Sequence, residues 1–210
     1  MTIQEAVQQI NFKLEEWGSS TNKLVVGIDG YTGVGKTTVL NQLAILNENI
    51  LAVNQDDFLL SREATKNLLA KAKDRSQVFE LENRDSKKIE DLVSAFRNGA
   101  EIYEMKVFNP VSGEIDILKS FNLSKKILVI EGAFMFHPKS LDHLWGRRIY
   151  LDGNIEEIDA RRVKREKERW GKDYFPETRP DSYFRQVIIA LRRYKDMYNP
   201  EELADLVLTI

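Results

Sequence analysis

The segment from Gly30 to Thr37 has residue types and spacing that could hold a chain of phosphates. It reads Gly-Tyr-Thr-Gly-Val-Gly-Lys-Thr and matches the pattern G-x-x-x-x-G-K-(S/T), in which glycines let the backbone curl so that successive N–H groups point at phosphate oxygens. The N-terminus of a following helix adds roughly half a positive charge. The pattern predicts a nucleotide-binding loop; the alternative is a glycine-rich turn before an ordinary helix.

Polar side chains of this loop have distinct predicted tasks. Lys36 should reach the β- and γ-phosphates of ATP, and Thr37 should offer its hydroxyl to Mg²⁺, which bridges phosphate oxygens. ATP and Mg²⁺ are therefore the expected cofactors. The predicted nucleotide-binding residues of the loop are Gly30, Thr32, Gly33, Val34, Gly35, Lys36, Thr37 and, as a weaker neighbour, Thr38.

Acidic residues follow two of the apolar runs that indicate strands, at 50–54 and 127–130. Ligands in open α/β sheets lie beyond the carboxyl ends of the strands, so both acids could face the γ-phosphate. Asp56 is predicted to orient the acceptor hydroxyl, take its proton and also contact Mg²⁺, with Asp57 as the second candidate. Glu131 is assigned to the metal. Without the loop, helix capping or a solvated turn would be the favoured interpretation of either acid.

A charged helix predicted at 155–169 could form a lid over the nucleotide. Arg161 and Arg165 share one face at spacing i, i+4, and Gly171 ends the helix before a loop that contains prolines. A lid over about 155–180 could place Arg161 and Arg165 against the transferring phosphoryl group. The alternative is a solvated helix with mixed charges.

These residues need a frame of strands and helices to bring them together. Five short apolar runs predict strands at 24–28, 50–54, 127–130, 148–151 and 206–210. Between them, periodic segments predict helices at 1–17, 36–46, 85–97, 138–144, 155–169 and 181–198. Strands that alternate with helices indicate an α/β fold with a parallel sheet. We expect one domain over 1–210, with a polar insertion at 71–88.

Composition excludes several classes of function. The 210 residues carry a net charge of −2, which does not favour a general nucleic-acid binder. There are no cysteines, which excludes disulfides, thiol catalysis and Cys-ligated zinc. The amphipathic start is unlike a signal peptide, and no run is long enough to span a membrane, so a cytoplasmic enzyme without membrane contact is expected. The apolar stripe of the leading helix could pack on its own domain or on a second copy of the chain.

Four segments together resemble a known family. They are Gly27-Ile28-Asp29-Gly30, Gln55-Asp56-Asp57-Phe58, Ile130-Glu131-Gly132-Ala133-Phe134 and Ala160-Arg161-Arg162-Val163-Lys164-Arg165. They are similar to the uridine kinase and nicotinamide riboside kinase group of P-loop kinases, related more distantly to phosphoribulokinase and bacterial pantothenate kinase. The resemblance spans most of the chain. It implies a three-layer P-loop NTPase fold, with a mostly parallel five-stranded sheet, helices on both faces and a helical lid.

The resemblance also assigns roles to particular residues. It implies that Asp56 is the catalytic base and that Glu131 helps to hold Mg²⁺, in agreement with the assignment from strand ends. The lid arginines of the family match Arg161, Arg162 and Arg165, and Arg162 is taken as a nucleotide contact.

The substrate pocket matches the family less well. The ribose-binding acid of the family falls near Glu80, Glu82 or Asp85, of which Glu82 is favoured. Uridine kinases carry a Tyr-Asp pair and then a His that read the base, whereas this chain has Phe108-Asn109-Pro110 there. Phe58 and Phe108 are predicted substrate contacts, although an aromatic residue at a strand end is often part of the core.

The predicted reaction is phosphoryl transfer to a hydroxyl of a small molecule, first of all a nucleoside. Nicotinamide riboside, pantothenate or another small alcohol is the alternative acceptor, because the same phosphate machinery serves different pockets. A guanine nucleotide switch would need Asn-Lys-x-Asp after the loop, and the only Asn-Lys of the chain, Asn22-Lys23, precedes it. A nucleotide-binding regulator without activity is the third alternative.

Overall fold

A computed structural model describes residues 1–176 and 178–210 of the chain. Its α-helices are α1 (Ile3–Ser19), α2 (Lys36–Leu46), α3 (Arg62–Lys71), α4 (Arg75–Gln77), α5 (Ser86–Arg97), α6 (Ile155–Trp170) and α7 (Tyr183–Tyr198). Its strands are β1 (Leu24–Gly30), β2 (Ile50–Asn54), β3 (Ile102–Val107), β4 (Ile117–Asn122), β5 (Ile127–Glu131), β6 (Arg147–Asp152) and β7 (Leu206–Thr209). A π-helical turn follows α4 at Val78–Glu82, and 3-10 turns lie at Gln55–Phe58, Asp142–Leu144 and Gly171–Asp173.

Five strands form the main sheet in the order β2-β5-β1-β6-β7. Every pairing in this sheet is parallel. All residues of β1 and β5 are buried, as expected of central strands in a parallel sheet that is covered on both faces. The mostly parallel five-stranded sheet predicted from the sequence is confirmed.

Helices cover the sheet on both faces and make three layers. On β1, Val26 and Ile28 belong to a core that includes residues of α1, α2 and α7. The neighbouring Val25 belongs to a second core that includes α5 and the β3–β4 hairpin. This alternation follows from the strand geometry, in which successive side chains point to opposite faces.

Helix α1 closes one side of the domain. Thr2 and Glu5 form a capping box, in which each side chain accepts a hydrogen bond from the other residue's backbone N–H. The apolar stripe of Val7, Ile10 and Leu14 is buried in the first core. The stripe therefore packs on the chain's own sheet rather than being left for a second copy. No helix within the described residues is long and apolar enough to cross a membrane.

Some elements differ from the sequence prediction. The prediction of a helix at 138–144 is wrong, since only a 3-10 turn forms, at Asp142–Leu144. Short turns already bury Leu141 and Leu144, so their apolar spacing does not require a helix. Helix α3 and the antiparallel β3–β4 hairpin were not predicted. Most of their residues are exposed or half-buried, so no continuous apolar run or clear periodic pattern marks these elements in the sequence. The predicted lid at about 155–180 corresponds to α6 and the segment before α7, and it includes Glu177, which lies outside the described residues.

Candidate active site

The nucleotide-binding loop predicted at 30–37 joins the end of β1 to the start of α2. Gly33 and Gly35 have φ values of +90° and +124°, in the region that favours glycine. A Cβ on Gly33 would lie 2.7 Å from the side-chain carbons of Arg162, so close packing also requires glycine there. Gly35 caps α2 without a side-chain hydrogen bond, which leaves the helix N-terminus available to an anion.

Lys36 is the first residue of α2, and its side chain folds back against the start of the loop. Its Nζ donates to the backbone oxygens of Gly30 at 2.8 Å and Tyr31 at 3.1 Å, and the side chain is buried. Burial lowers the pKa of Lys36, while Glu131 and other acids nearby oppose that shift. A phosphate chain would add further negative charge beside this buried ammonium group.

Thr37 and Glu131 are in direct contact across the cavity. The Thr37 hydroxyl donates to Glu131 Oε1 at 2.7 Å. Glu131 ends β5 and is buried, and this burial raises the pKa of its carboxyl, against the influence of Lys36 and Thr37. Both groups offer oxygen atoms, the ligand type that Mg²⁺ prefers. Within the described residues no cluster of three or more His, Cys, Asp or Glu could hold a metal, so phosphate oxygens and water would have to complete the coordination.

Asp56 is held beside Glu131 by its neighbours. It lies in the 3-10 turn after β2, where its backbone N–H donates to Asn54 Oδ1 at 2.8 Å. The buried side chain of Gln55 accepts from Ala133 N–H at 3.1 Å, which ties this turn to the loop after β5. A Cβ on Gly132 would overlap the Gln55 side chain, so the Glu-Gly pair permits the close approach.

One cavity of about 870 Å³ brings most of the predicted site together. The predicted residues in its lining are Thr32, Gly33, Gly35, Lys36, Thr37, Thr38, Asp56, Phe108, Glu131 and Arg165. Their roles in binding and catalysis stay predictions.

Several predicted residues lie elsewhere. Gly30 and Val34 are outside the lining, and Val34 is buried in the core, so this valine supports the loop rather than facing a ligand. Phe58 is only 1% exposed and packs in the second core. Arg161 is exposed on α6 and outside the lining.

Arg162 packs beneath the loop. Its guanidinium carbon lies 4.1 Å from the ring centre of Phe184, and its Nη1 lies 3.0 Å from Asp159 Oδ1. The side chain is 5% exposed. These contacts favour a role in supporting the loop. Arg165, one turn further on, is exposed and lines the cavity, with its Nε 3.7 Å from Glu166 Oε1.

The three candidates for a ribose-binding acid are all outside the cavity lining. Glu82, the favoured one, is exposed to solvent. Glu80 is buried and bound by Arg193, with His137 Nε2 at 3.3 Å from its Oε1. Asp85 caps α5 by accepting from Lys88 N–H at 3.2 Å. Asp57, the second candidate base, pairs with Lys119 of the hairpin at 2.5 Å.

Sequence reasoning missed two residues that lie between those acids and do line the cavity, Asn83 and Arg84. Arg84 forms an isolated antiparallel bridge with Leu59. The backbone N–H of Leu60 donates to the backbone oxygen of Asn83 at 3.0 Å. These backbone contacts hold Asn83 and Arg84 against the chain just after Asp56. The only available signal was the unusual polarity of the predicted insertion, which gives no position for either side chain.

Asp29, near the end of β1, belongs to the segment that resembles the family, but sequence reasoning assigned it no role of its own. It is 1% exposed and accepts from the Tyr194 hydroxyl at 2.6 Å and from Gly30 N–H at 2.7 Å. Burial raises the pKa of its carboxyl. Asp29 therefore joins the start of the loop to α7.

Comparisons with known proteins agree with this geometry. The model of the phosphoribulokinase / uridine kinase family matches residues 25–186. The chain is 30% identical over 144 residues to nicotinamide riboside kinase 2 of Homo sapiens, which covers 68% of this chain and 58% of that protein. It is 24% identical over 192 residues to a chloroplastic uridine/cytidine kinase of Arabidopsis thaliana, covering 84% of this chain and 37% of that protein. The chain thus spans less than two thirds of the length of these relatives.

Among solved structures, a possible uridine kinase from Bacillus stearothermophilus has the same fold. The two superpose with a TM-score of 0.65 at 17% identity, covering 95% of this chain and 99% of that one. At this identity the likeness concerns the fold alone.

Proposed function

Because the chain belongs to the phosphoribulokinase / uridine kinase family, we propose that it is an ATP-dependent kinase that phosphorylates a hydroxyl group of a small molecule. One observation carries the proposal: the phosphate-binding loop lines the same cavity as Asp56 and Glu131. A cation for the phosphates, oxygen ligands for a metal and a base for the acceptor are the parts that phosphoryl transfer requires.

The proposed reaction begins with ATP in the loop and the acceptor hydroxyl against Asp56. The Asp56 carboxylate accepts the hydroxyl proton while the acceptor oxygen forms a bond to the γ-phosphorus. The bond from that phosphorus to the β,γ-bridging oxygen breaks, and ADP leaves with the bonding electron pair. Lys36 and Arg165 would stabilise the negative charge on the phosphoryl oxygens.

Mg²⁺ fits the oxygen donors of this cavity. Thr37 and Glu131, whose side chains meet at 2.7 Å, would hold it, with Asp56 as a third predicted contact. When bound, the ion neutralises charge on the β- and γ-phosphates. The close contact between hydroxyl and carboxylate is compatible with both oxygens turning toward one cation.

The acceptor predicted from the sequence is a nucleoside, and the names of the relatives support this prediction to the level of nucleosides and nicotinamide riboside. These compounds are the reference acceptors for an assay. Phe108, which lines the cavity and is partly exposed, could stack on a ring of such a compound.

The test is a coupled assay of ADP release with Mg²⁺ and ATP, run over nucleosides, nicotinamide riboside and vitamin-like alcohols. We expect ADP release that depends on one class of acceptor and a phosphorylated product by mass spectrometry.

Lys36→Ala should lose at least about 10³-fold in kcat/KM, because the buried cation no longer meets the phosphates. Lys87→Ala, on the exposed outer face of α5, is the control. Normal kinetics in Lys36→Ala would end the proposal.

A further inference from the structure

The part of the cavity lined by Asn83 and Arg84, close to the predicted base Asp56, is called the acceptor end, and it contains buried polar atoms that have no partner. Asn83 is 6% exposed, and neither its Oδ1 nor the Arg84 Nε has a hydrogen-bond partner among the described residues. Both residues line the cavity. A buried donor or acceptor without a partner is costly, and few are retained in native proteins without a ligand, a water or strain to explain them.

Arg84 is fixed in place by its surroundings. Its backbone is bridged to Leu59, and its Nη1 donates to the Phe79 carbonyl oxygen at 3.0 Å. Its guanidinium carbon lies 5.4 Å from the ring centre of Phe134. These contacts use one edge of the guanidinium fork, so further N–H groups are left for another ligand. Because the bridge lies three residues after Asp56, that ligand would lie close to the predicted base.

The charge around this end of the cavity is also unbalanced. Lys66 of α3, Arg75 of α4 and Arg84 all line the cavity, and no carboxylate oxygen of the described residues lies within 4.0 Å of their charged nitrogen atoms. Three acids also line the cavity: Asp181 pairs with Arg179 at 3.2 Å, Glu131 contacts Thr37, and Asp56 is the predicted base. Asp56 attracts Arg84 through space without forming an ion pair with it. Exposed Lys66 and Arg75 would be ordinary surface charges by themselves, but here they line the same cavity as an arginine that forms no ion pair within the described residues.

We propose that the acceptor carries an anionic group, a carboxylate or a phosphate, beside the hydroxyl that is phosphorylated, and that Arg84 binds this group. The inference rests on the proposed kinase function and narrows its substrate class. A guanidinium fork matches the paired oxygens of either anion, and Asn83 Oδ1 would accept from a hydroxyl or N–H of the same molecule.

A competing assignment would use these cations for ATP. The triphosphate already has the loop N–H groups, Lys36 and the lid residue Arg165, whereas Arg84 belongs to a segment that is stitched to the chain after β2. The two assignments differ in kinetics. A cation on the acceptor's anion changes acceptor KM in an acceptor-dependent way, whereas a cation on the transferring phosphoryl changes kcat with every acceptor.

The first experiment compares matched acceptors that differ only in the anion: D-glycerate with glycerol, pantothenate with pantothenol, and ribose 5-phosphate with ribose. Uridine and nicotinamide riboside serve as references. For one of the pairs we expect kcat/KM to be higher for the anionic member by about 10- to 100-fold, the range of a charge-assisted hydrogen bond. The pair that responds distinguishes carboxylate from phosphate.

The second experiment uses variants with that acceptor. Arg84→Gln should raise its KM by about 10- to 100-fold and leave little preference over the neutral partner, and Arg84→Lys should recover part of the loss. Arg75→Gln and Lys66→Gln change exposed side chains, so they test the inference even if Arg84→Gln does not fold. Each should raise the KM of the anionic acceptor by up to about fivefold, and by less at high salt. Arg147→Gln is the control, because Arg147 is an exposed arginine at the start of β6 and does not line the cavity.

The outcomes separate this inference from the proposed function. Turnover of uridine or nicotinamide riboside with no gain from an anion in any pair would overturn the inference and leave the kinase in place. A fall in kcat for all acceptors in Arg84→Gln, with acceptor KM unchanged, would also overturn it and assign Arg84 to the phosphoryl group. Binding of an ATP analogue without ADP release for any acceptor would overturn the kinase function itself.

Discussion

The nucleotide end and the acceptor end of the cavity differ in how their polar groups are satisfied. At the nucleotide end, Lys36 donates to two backbone oxygens and Thr37 donates to Glu131. At the acceptor end, Asn83 Oδ1 and Arg84 Nε have no partner within the described chain. The polar side chains of the nucleotide end thus have partners within the chain, while the acceptor end has polar atoms that the proposed anionic acceptor would satisfy.

The difference follows from what each end must recognise. A triphosphate is the same for all kinases of this kind, so a loop with fixed backbone geometry can hold it. Acceptors vary, and the proposed acceptor end is lined by residues of α3, by Phe79 of the π-helical turn and by Phe108 just after β3, which lie outside the main sheet. We expect changes at the nucleotide end to affect all acceptors alike, and changes at the acceptor end to depend on the acceptor.

The strongest test lies where the two ends meet, at Asp56. Asp56→Asn should lower kcat by about 10²- to 10⁴-fold, because the amide cannot take the hydroxyl proton. The dissociation constant of an ATP analogue, measured by calorimetry, should change little. Asp57→Asn is the matched control, since Asp57 pairs with Lys119 and lies outside the cavity lining. Equal kinetics in the two variants would remove Asp56 from the mechanism.

A smaller effect is expected at the metal contact. Thr37→Val should lower kcat by about 10- to 100-fold for every acceptor and raise the Mg²⁺ concentration needed for half-maximal rate, because one oxygen ligand is lost. Thr38→Val changes a neighbouring hydroxyl of the same loop and should cost at most about fivefold. A loss in Thr37→Val that differs between acceptors would contradict the separation of the two ends.

Glycine positions test how rigidly the loop is built. Gly33→Ala places a Cβ against Arg162 at positive φ, so we expect about 1 kcal/mol of backbone strain plus about 1–3 kcal/mol from overlap, with weaker ATP binding. Gly99→Ala, also at positive φ but with nothing within 4 Å, should show the strain alone. Urea denaturation and analogue binding measure both quantities. Similar stabilities of the two variants would show that the Arg162 side chain moves aside without a measurable cost in the free energy of unfolding.

The smallest effect concerns pH and Asp29. Its pKa is raised in the folded protein, so its contribution to stability is complete below the usual value of 3.8 and is lost as pH rises through the folded pKa. The free energy of unfolding of the natural protein, minus that of Asp29→Asn, should therefore be larger near pH 4.5 than near pH 7.5. Denaturation at the two pH values measures this. Asp91→Asn, an exposed site on α5, should show no such trend.

The sequence alone predicted the strand, loop and helix that form the nucleotide end. The loop motif is continuous, so its function can be recognised without knowing which distant residues it meets. The short apolar runs predicted all five strands of the main sheet, since a buried parallel strand requires apolar residues on both faces. Because the carboxyl ends of parallel strands share one edge, the positions of Asp56 and Glu131 followed from the same pattern.

Only the tertiary structure decided the acceptor end. Glu80, Glu82 and Asp85 are similar in sequence, yet packing buries the first against Arg193, exposes the second and uses the third as a helix cap. Arg84 reaches the cavity because a backbone bridge joins it to Leu59, twenty-five positions away in the chain (84 − 59). Contacts of this kind depend on how remote segments pair, and no local periodicity or motif records them.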